Sequence, residues 1–580
     1  MSTHDSNVNG FGSVSRRDFL QGTAVVAGAL LVTGVEAHAL IQESAQAGVP
    51  NVHEDIVEVG IAELQRRMTR GELTARQLVQ KYIDRITKLD QSGPTVNSVL
   101  EINPDALAIA DALDAERRAK GPRGPLHGIP ILLKDNIDTA DAMLTTAGSL
   151  GLVGTQPAQD ATVARRLRDA GAILLGKANL SEWANFRGNQ SSSGWSGRGG
   201  QCNNPYVLDR NPCGSSSGSA AAVSASFAAA SLGTETDGSI VCPSSACGVV
   251  GIKPTVGLTS RAGVIPIAAS QDTVGPHGRT VADAAAVLGA LVGVDPRDAD
   301  TAGSAGKFYT DYTQFLDPNG LKGARIGVGR ASYFGYSPET DRAINAAIGI
   351  LQYAGATIID PVVIPSLDAY NQSGAEFTVL LYEFKAQLNE YLATRVANPR
   401  FPDAPKPRTL AQLIAFNEAV RDVELRYFGQ EVFLAAEETT GLQAEEYLAA
   451  KAEARRLGRE EGIDAVMDEH KLDAIVAPTG SPAWTTDLVN GDLFLGASSG
   501  LAAVAGYPLI SVPAGWAFGL PIGMTFMGRA YSEPTLIKLA YAFEQVSKFR
   551  RAPRFIPTIG KRGFGYRGKK RATTITHVHR

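Results

Sequence analysis

The sequence has little histidine, the residue that most often serves as the base in hydrolases with a serine nucleophile. It holds eight histidines in 580 residues. Apart from those near the two ends, the body of the chain has only His53, His127, His277 and His470. Chemistry that needs a histidine base therefore has few candidates, and another base has to be considered.

Cysteine is also scarce. The four cysteines are Cys202, Cys213, Cys242 and Cys247. Their spacing matches no paired C-x-x-C zinc motif, and they are too few for a disulfide framework. We favour small buried thiols, with a Cys202–Cys213 disulfide as the alternative in an oxidising compartment. We predict no metal site and no organic cofactor.

Neither sign of charge dominates the chain. With 55 Lys and Arg against 59 Asp and Glu, the formal net charge is -4. This balance gives no electrostatic reason to expect nucleic acid or an anionic membrane as a partner. Only residues 561–580 are clearly basic, and their composition predicts a flexible tail.

The chain also lacks an apolar run long enough to span a bilayer as a mature helix. Near the N-terminus, "SRRDFLQGTAVVAGALLVTGVEAHA" pairs Arg16 and Arg17 with a modest apolar run and the small-residue pattern around Ala39. This pattern predicts a twin-arginine-type export signal over residues 1–39, cleaved after Ala39, with Ala47 as second choice. We therefore expect an exported protein, periplasmic or secreted, that meets the twin-arginine translocon and is not stably inserted in a membrane.

Helical patterns alternate with short apolar strands from about residue 55. "LTARQLVQKYIDRITKL" has helical periodicity, with Thr74 and Gln77 placed for a capping box, and "PLHGIPILLKDNID" contains a buried strand. The alternation predicts an α/β fold with a sheet covered on both faces. We expect one large domain over 55–560 with a helical insertion at about 300–460, after which "LDAIVAPTG" and "YPLISVPAG" return to the sheet.

The stretch "GTETDGSIVCP" places Ser239 among glycines and small polar residues. A serine hydroxyl needs a base within hydrogen-bond reach, and a buried lysine with a lowered pKa can be that base. Lys134, at the end of the apolar run "ILL", is the candidate for such a lysine, and taken alone it is more typical of a charge at a strand end than of a base. The backbone N–H groups of Thr236, Asp237, Gly238 and Ser239 are candidates for an oxyanion hole.

Other motifs fit less well. "GSSSG" has the form of a G-x-S-x-G nucleophile elbow centred on Ser216, which makes a histidine-dependent esterase an alternative. An elbow needs a strand before it, whereas "NNPYVLDRNPC" is rich in proline and asparagine. "SAGK", ending at Lys307, matches S-x-x-K without an accompanying K-T-G, and the glycine-serine run lacks the G-K-[ST] ending of a P-loop.

Several blocks in one order resemble the amidase signature family. They include "LHGIPILLKDNI", "AGAILLGKANLSEWA", "NPCGSSSGSAAAVSA", "GTETDGSI" and "GVVGIKPTVGLTSRAGVIP", with a core at about 120–285. The resemblance implies an α/β/α sandwich with a mixed central sheet and a Ser-cisSer-Lys triad. Matched position by position, Ser239 is the nucleophile, Ser215 the bridging serine on a cis peptide, and Lys134 the general base.

Three positions depart from the pattern of many family members. Asp237 and Cys213 stand where many have glycine, and Val241 stands where many have arginine. "TETDGSI", "SEWANFRG" and "DRNPCGSSSGS" together resemble the peptide-amidase branch. That resemblance makes Asn185, Ser216 and Asp237 candidates for the substrate-lining wall.

We therefore expect an exported serine amidase that releases ammonia from carboxamides, with the C-terminal amide of peptides as a candidate substrate. One alternative is a general aliphatic or aromatic amide or ester hydrolase of the same family. Another is a non-catalytic binding protein on the same scaffold. The export signal and the lack of a basic face argue against the family's tRNA-dependent transamidating members.

Overall fold

A computed structural model describes residues 52–559 of the chain. The predicted export signal and the basic tail lie outside the described residues. Within them the chain forms 15 strands. The strands are β1 (Val99–Ile102), β2 (Pro130–Lys134), β3 (Thr155–Gln156), β4 (Ile173–Ala178), β5 (Trp195–Ser196), β6 (Gly200–Gln201), β7 (Ala230–Glu235), β8 (Val250–Lys253), β9 (Thr273–Gly278), β10 (Arg325–Val328), β11 (Thr357–Ile359), β12 (Val396–Ala397), β13 (Ala474–Pro478), β14 (Leu509–Ala517) and β15 (Leu520–Met527).

The same residues form 18 α-helices, joined by short 3₁₀ and π turns. The helices are α1 (Ile61–Thr69), α2 (Ala75–Arg85), α3 (Ala106–Lys120), α4 (Thr162–Asp169), α5 (Ser217–Ser224), α6 (Val241–Ala246), α7 (Val281–Leu291), α8 (Arg330–Tyr333), α9 (Pro338–Tyr353), α10 (Leu367–Ser373), α11 (Ala375–Thr394), α12 (Leu410–Ala419), α13 (Arg421–Glu424), α14 (Glu431–Glu437), α15 (Glu445–Gly458), α16 (Asp464–His470), α17 (Gly500–Ala505) and α18 (Glu533–Ser547).

The start of α2 shows how local sequence fixes an element. The backbone N–H of Gln77 donates to the Thr74 hydroxyl at 3.1 Å, and the Gln77 side chain accepts from the Thr74 N–H at 3.0 Å. Leu78 and Tyr82 of this helix are fully buried. The predicted capping box is confirmed, and it satisfies two backbone donors that a helix N-terminus otherwise leaves without partners.

Eleven strands form one central sheet in the order β1-β4-β2-β7-β9-β8-β14-β15-β13-β10-β11. The pairs β4–β2, β2–β7, β13–β10 and β10–β11 are parallel, and the other pairs are antiparallel. The predicted α/β fold with a mixed central sheet is therefore confirmed.

Strand β13 shows that helices cover both faces of the sheet. Val476 belongs to the apolar cluster that includes Ile344 of α9 and Phe543 of α18. Its neighbour Ile475 belongs to a different cluster, with Val466 of α16. Successive strand residues point to opposite faces, so each face of the sheet here packs against its own layer of helices.

The range from about 300 to 460, predicted as a helical insertion, contributes to the sheet as well as to the helices. Strands β10 and β11 extend the sheet at one edge, where β11 is the last strand. From Leu367 to Gly458 the chain forms α10 to α15 and the short β12. Strands β10 and β11 have only four and three residues, so their patterns are too short to be recognised among the surrounding helical patterns in the sequence.

Candidate active site

Lys134 lies at the last position of β2, between the parallel strands β4 and β7 in the middle of one half of the sheet. Its side chain is fully buried. The amine nitrogen Nζ lies 2.7 Å from Ser215 Oγ, and it donates to Thr234 Oγ1 at 2.8 Å and to the Thr234 carbonyl at 3.2 Å. The strand end thus brings a lysine far away in sequence into direct contact with Ser215.

The surroundings of this amine favour its neutral form. Burial lowers the pKa of Lys134 to about 7, while the negative charges of Asp272 and Glu235 act in the opposite direction. No carboxylate is among its hydrogen-bond partners in the described part of the chain, which are a hydroxyl of Ser215 and the hydroxyl and carbonyl of Thr234. Lys134 can therefore accept a proton near neutral pH, as a general base must.

Ser215 precedes helix α5 and is fully buried. The peptide bond between Gly214 and Ser215 is cis. The Ser215 carbonyl accepts a hydrogen bond from the Ser181 N–H at 3.1 Å, so the backbone as well as the hydroxyl is held in place.

Ser239 lies in the turn that joins β7 to helix α6. The Glu235 carboxylate accepts hydrogen bonds from the N–H groups of Ile240 and Val241, at 2.7 and 2.9 Å, at the start of that helix. Gly238, with φ of +74°, has a left-handed conformation that favours glycine. The Ser239 carbonyl accepts from the Ser216 N–H at 3.1 Å, which ties the two serine loops together.

The backbone of this turn leaves donors available. Among the hydrogen bonds of residues 52–559, none is donated by the backbone N–H groups of Asp237, Gly238 or Ser239. Unpaired N–H groups beside a serine hydroxyl are what an oxyanion hole requires.

A cavity of about 270 Å³ opens over Ser239. It brings together most of the residues predicted from the sequence. The lining residues include Asn185, Cys213, Gly214, Thr236, Asp237, Gly238, Ser239, Val241, Cys242, Trp484, Asp492 and Phe494. Lys134 and Ser215 are fully buried beneath the surface, whereas Ser239 is among the residues that face the cavity.

The three predicted substrate-lining residues have different positions. Asn185 and Asp237 line the cavity. Ser216 lies behind the wall, because it is fully buried and its hydroxyl donates to the Thr234 carbonyl at 3.0 Å and accepts from the Thr234 N–H at 3.2 Å. The segment before it, from Cys202, has no strand of the kind that a nucleophile elbow requires.

The segment 183–185, at the cavity wall, has an unusual backbone. Trp183, Ala184 and Asn185 have φ values of 49°, 54° and 69°, three consecutive left-handed residues other than glycine. The Asn185 side-chain amide donates to Ser193 Oγ at 3.0 Å. Its Oδ1 atom is buried and has no partner within the described residues, which leaves an acceptor on the cavity wall for a ligand donor.

Asp272 is a site residue that the sequence reasoning missed. Its Oδ1 accepts from the Thr236 hydroxyl at 2.6 Å, and its Oδ2 accepts from the N–H groups of Ile267 and Ala268 at 2.9 and 3.0 Å. It therefore positions Thr236, at the start of the predicted oxyanion turn, from a site directly before β9 and 36 residues away in sequence. No local pattern around "QDTVGP" indicates this contact.

The cysteines correct the sequence interpretation. The structure has a disulfide between Cys213 and Cys242, not between Cys202 and Cys213. Cys202 and Cys247 are buried free thiols. The expected buried thiols are therefore found at Cys202 and Cys247 and not at Cys213 and Cys242, because the fold brings the Ser215 loop against helix α6. The disulfide covalently joins these two elements at the cavity wall.

Removing this cross-link is expected to destabilise the protein. The disulfide joins residues 29 apart, and the Cys213→Ala/Cys242→Ala variant should lose about 2–4 kcal/mol of unfolding free energy because its unfolded chain is less constrained. Urea unfolding followed by circular dichroism measures the change. The matched control, Cys202→Ala/Cys247→Ala, removes two buried thiols without a cross-link and should lose less; equal losses would contradict a stabilising disulfide.

No histidine in residues 52–559 is hydrogen-bonded to a serine of the candidate site. His277 is fully buried, and its Nδ1 is 2.9 Å from Ser244 Oγ. Burial lowers its pKa to about 3, with a further contribution from the charge of Lys134. His127 contacts the Leu113 carbonyl and His53 contacts Asp84. None of these contacts is to Ser215, Ser216 or Ser239.

Comparison with known proteins agrees with this arrangement. The family model described as Amidase matches residues 77–537. The native peptide amidase of Stenotrophomonas maltophilia is 53% identical, with a TM-score of 0.80 over 86% of this chain and 99% of that chain. A probable amidase of Arabidopsis thaliana is 45% identical over 86% of this chain and 92% of its own length. An amidase family protein from Bacillus anthracis is 36% identical, with a TM-score of 0.76 over 88% of this chain and 96% of that chain.

These likenesses define the protein as a hydrolase of carbon–nitrogen bonds. The chain belongs to the amidase family, as the sequence blocks predicted. Residues 13–33 match the signal sequence of the twin-arginine translocation pathway, so the protein is an exported amidase. In the part of the chain that the structure describes, no helix is both long and apolar enough to cross a membrane.

Proposed function

We propose that the protein hydrolyses carboxamides to a carboxylic acid and ammonia, with Ser239 as nucleophile, Ser215 as proton bridge and Lys134 as general base. The observation that carries this proposal is the buried contact of 2.7 Å between Lys134 Nζ and Ser215 Oγ, beneath a cavity that Ser239 faces.

The proton path follows from the order in which Ser239, Ser215 and Lys134 are linked. Neutral Lys134 accepts the Ser215 proton while Ser215 accepts the Ser239 proton, and Ser239 Oγ attacks the amide carbonyl. The N–H groups of Asp237, Gly238 and Ser239 stabilise the developing oxyanion, each donor contributing about 3–4 kcal/mol in a buried site. The proton returns through Ser215 to the leaving nitrogen, ammonia departs, and water hydrolyses the acyl-enzyme by the same proton path in reverse.

The C-terminal amide of a peptide is the substrate that we propose. The likeness to a peptide amidase at 53% identity supports it. So does the cavity, whose charged lining residues are Asp237 and Asp492. Asp237 is exposed to the cavity, and desolvation by the surrounding protein raises the pKa of its carboxyl. The carboxylates of these two aspartates repel an anionic substrate group, so neutral or cationic peptide amides should bind better than anionic ones.

A general aliphatic or aromatic amidase, or an esterase, with the same triad is the second candidate function. The apolar part of the cavity wall, with Val241, Ile267, Leu380 and Phe186, accepts such groups without requiring a peptide backbone. The triad chemistry is the same for both candidates, and they differ only in the acyl group.

Ammonia release from a substrate panel tests the proposal. The protein beginning at Leu40 would be assayed for ammonia release from C-terminally amidated peptides and from simple aliphatic and aromatic amides, and for alcohol release from one peptide ester, each against the Ser239→Ala variant. Ammonia from peptide amides that is absent in the variant is the expected result. Ammonia release from small amides alone would contradict the proposed peptide substrate and leave the mechanism standing. A folded protein that forms no product from any substrate of the panel would overturn the proposed function.

A further inference from the structure

A loop beside the cavity exposes an unusual number of large apolar side chains. We call residues 485–497, "TTDLVNGDLFLGA", the mouth loop. Four of its residues are Val489, Leu493, Phe494 and Leu495, with exposed fractions of 79%, 68%, 48% and 48%. They fall within seven positions, and no seven-residue stretch of the described chain outside the mouth loop holds more than two exposed large apolar residues.

The mouth loop is held firmly although its apolar side chains face solvent. The Asp492 carboxylate accepts hydrogen bonds from the Ser193 N–H at 3.0 Å, from the Asn211 side-chain amide at 3.2 Å and from Trp484 Nε1 at 3.1 Å. Asp487 closes a turn by accepting from the N–H groups of residues 489 and 490, both at 2.9 Å. The exposure of these side chains is therefore fixed by polar contacts of their neighbours.

The loop is also continuous with the cavity wall. Asp492, Phe494 and Ala497 line the cavity. Phe494 packs edge-on against Trp484, another lining residue, with ring centroids 5.7 Å apart. Phe494 thus belongs to the cavity on one side and to the exposed apolar surface on the other, so the apolar lining continues outward along the loop.

A second exposed aromatic residue extends another part of the wall. Phe377 of α11 has an exposed fraction of 47% and packs edge-on against Phe186, which lines the cavity, with centroids 6.2 Å apart. An exposed apolar surface next to a binding cavity is the kind of surface that contacts a ligand or partner.

We propose that the exposed apolar side chains of the mouth loop bind apolar side chains of a peptide substrate in the residues that precede its C-terminal amide. This inference rests on the proposed function. When the leaving group is ammonia, all the rest of the substrate is on the acyl side of Ser239. A cavity of about 270 Å³ is smaller than most small-molecule sites, about 300–1,000 Å³, so a peptide amide extends past it across Val489, Leu493 and Leu495.

Paired substrates test this inference. Tetrapeptide amides with one C-terminal residue in common would carry either leucine or serine at the two preceding positions, and kcat/KM for ammonia release would be measured. The wild-type kcat/KM should be about tenfold or more higher for the leucine peptide than for the serine peptide, because burial of about half a leucine side chain is enough for a difference of this size. In the Val489→Ser/Leu493→Ser/Leu495→Ser variant the preference should fall to near unity.

A matched control removes exposed apolar side chains elsewhere. Tyr353 and Val363, with exposed fractions of 86% and 58%, belong to neither the mouth loop nor the cavity lining. The Tyr353→Ser/Val363→Ser variant should retain the tenfold preference. An unchanged preference in the mouth-loop variant, or no preference in the wild type, would overturn the inference.

Two further measurements separate the possible failures. Calorimetric titration of the Ser239→Ala variant with the two peptides should show the same preference in Kd, because binding needs no turnover. A wild type that releases ammonia from both peptides at equal rates would refute the mouth-loop inference and leave the amidase proposal intact. If sedimentation shows a dimer that the mouth-loop variant dissociates, a second copy of the chain covers the loop and the substrate inference is wrong.

Discussion

Substitution of Ser239 by alanine is expected to lower kcat for ammonia release by about 10⁶-fold, the size of effect seen when a serine hydrolase loses its nucleophile. The variant should remain folded, because Ser239 is held mainly through its backbone, whose carbonyl accepts from the Ser216 N–H. Steady-state ammonia release from the best substrate of the panel measures the loss.

Ser216→Ala is the matched control for this prediction. The Ser216 hydroxyl is buried and hydrogen-bonded to the backbone of Thr234, so its removal should cost about 1–3 kcal/mol of stability. Ammonia release per folded molecule should persist. The reverse pattern, with Ser216→Ala inactive and Ser239→Ala active, would establish the nucleophile-elbow alternative.

Substitution of Lys134 by methionine is expected to have the second largest effect. Methionine keeps the length of the side chain and removes the base, so kcat/KM should fall by about 10²–10⁴-fold. The pH dependence of kcat/KM is the measurement. Because burial lowers the Lys134 pKa to about 7, the base is protonated and inactive below that pH. The wild-type kcat/KM should therefore rise with pH to about 7 and then level off.

The residual activity of Lys134→Met should lack this rise. Lys177 offers a matched control: it is also fully buried, lies near the end of the adjacent strand β4, and donates to the Ile137 carbonyl and the Thr145 hydroxyl at 2.6 and 2.8 Å. Lys177→Met should lose stability and keep the wild-type pH profile. A profile that still rises through pH 7 in Lys134→Met would exclude Lys134 as the base.

Much of the site could be predicted from the sequence because its residues lie in strongly patterned segments. Lys134 ends an apolar run, which indicates a strand end, and Ser239 follows glycines and small polar residues, which indicate a turn. Each pattern is local in the chain. The contact between Lys134 and Ser215 depends on the arrangement of strands in the sheet, which no local pattern gives, and only the family resemblance implied that contact.

The contacts that sequence reasoning missed are all long-range. Asp272, directly before β9, contacts Thr236, and Cys213 of a loop is bonded to Cys242 of a helix. Asp492 and Phe494 reach the cavity from a segment about 250 residues beyond Ser239 in the chain. No periodicity or spacing in the sequence encodes such contacts, because they depend on how the chain returns to the central sheet through β13, β14 and β15.

Identification of the acylated serine tests the central claim most directly. A short peptide p-nitrophenyl ester, whose acyl-enzyme accumulates when deacylation is slow, would be mixed with the wild type, quenched in acid, reduced and digested. Cleavage after Glu235 separates Ser239 from Ser215 and Ser216, so mass spectrometry can assign the adduct. We predict the acyl group on Ser239. An adduct on Ser215 or Ser216 that persists in Ser239→Ala would contradict the mechanism.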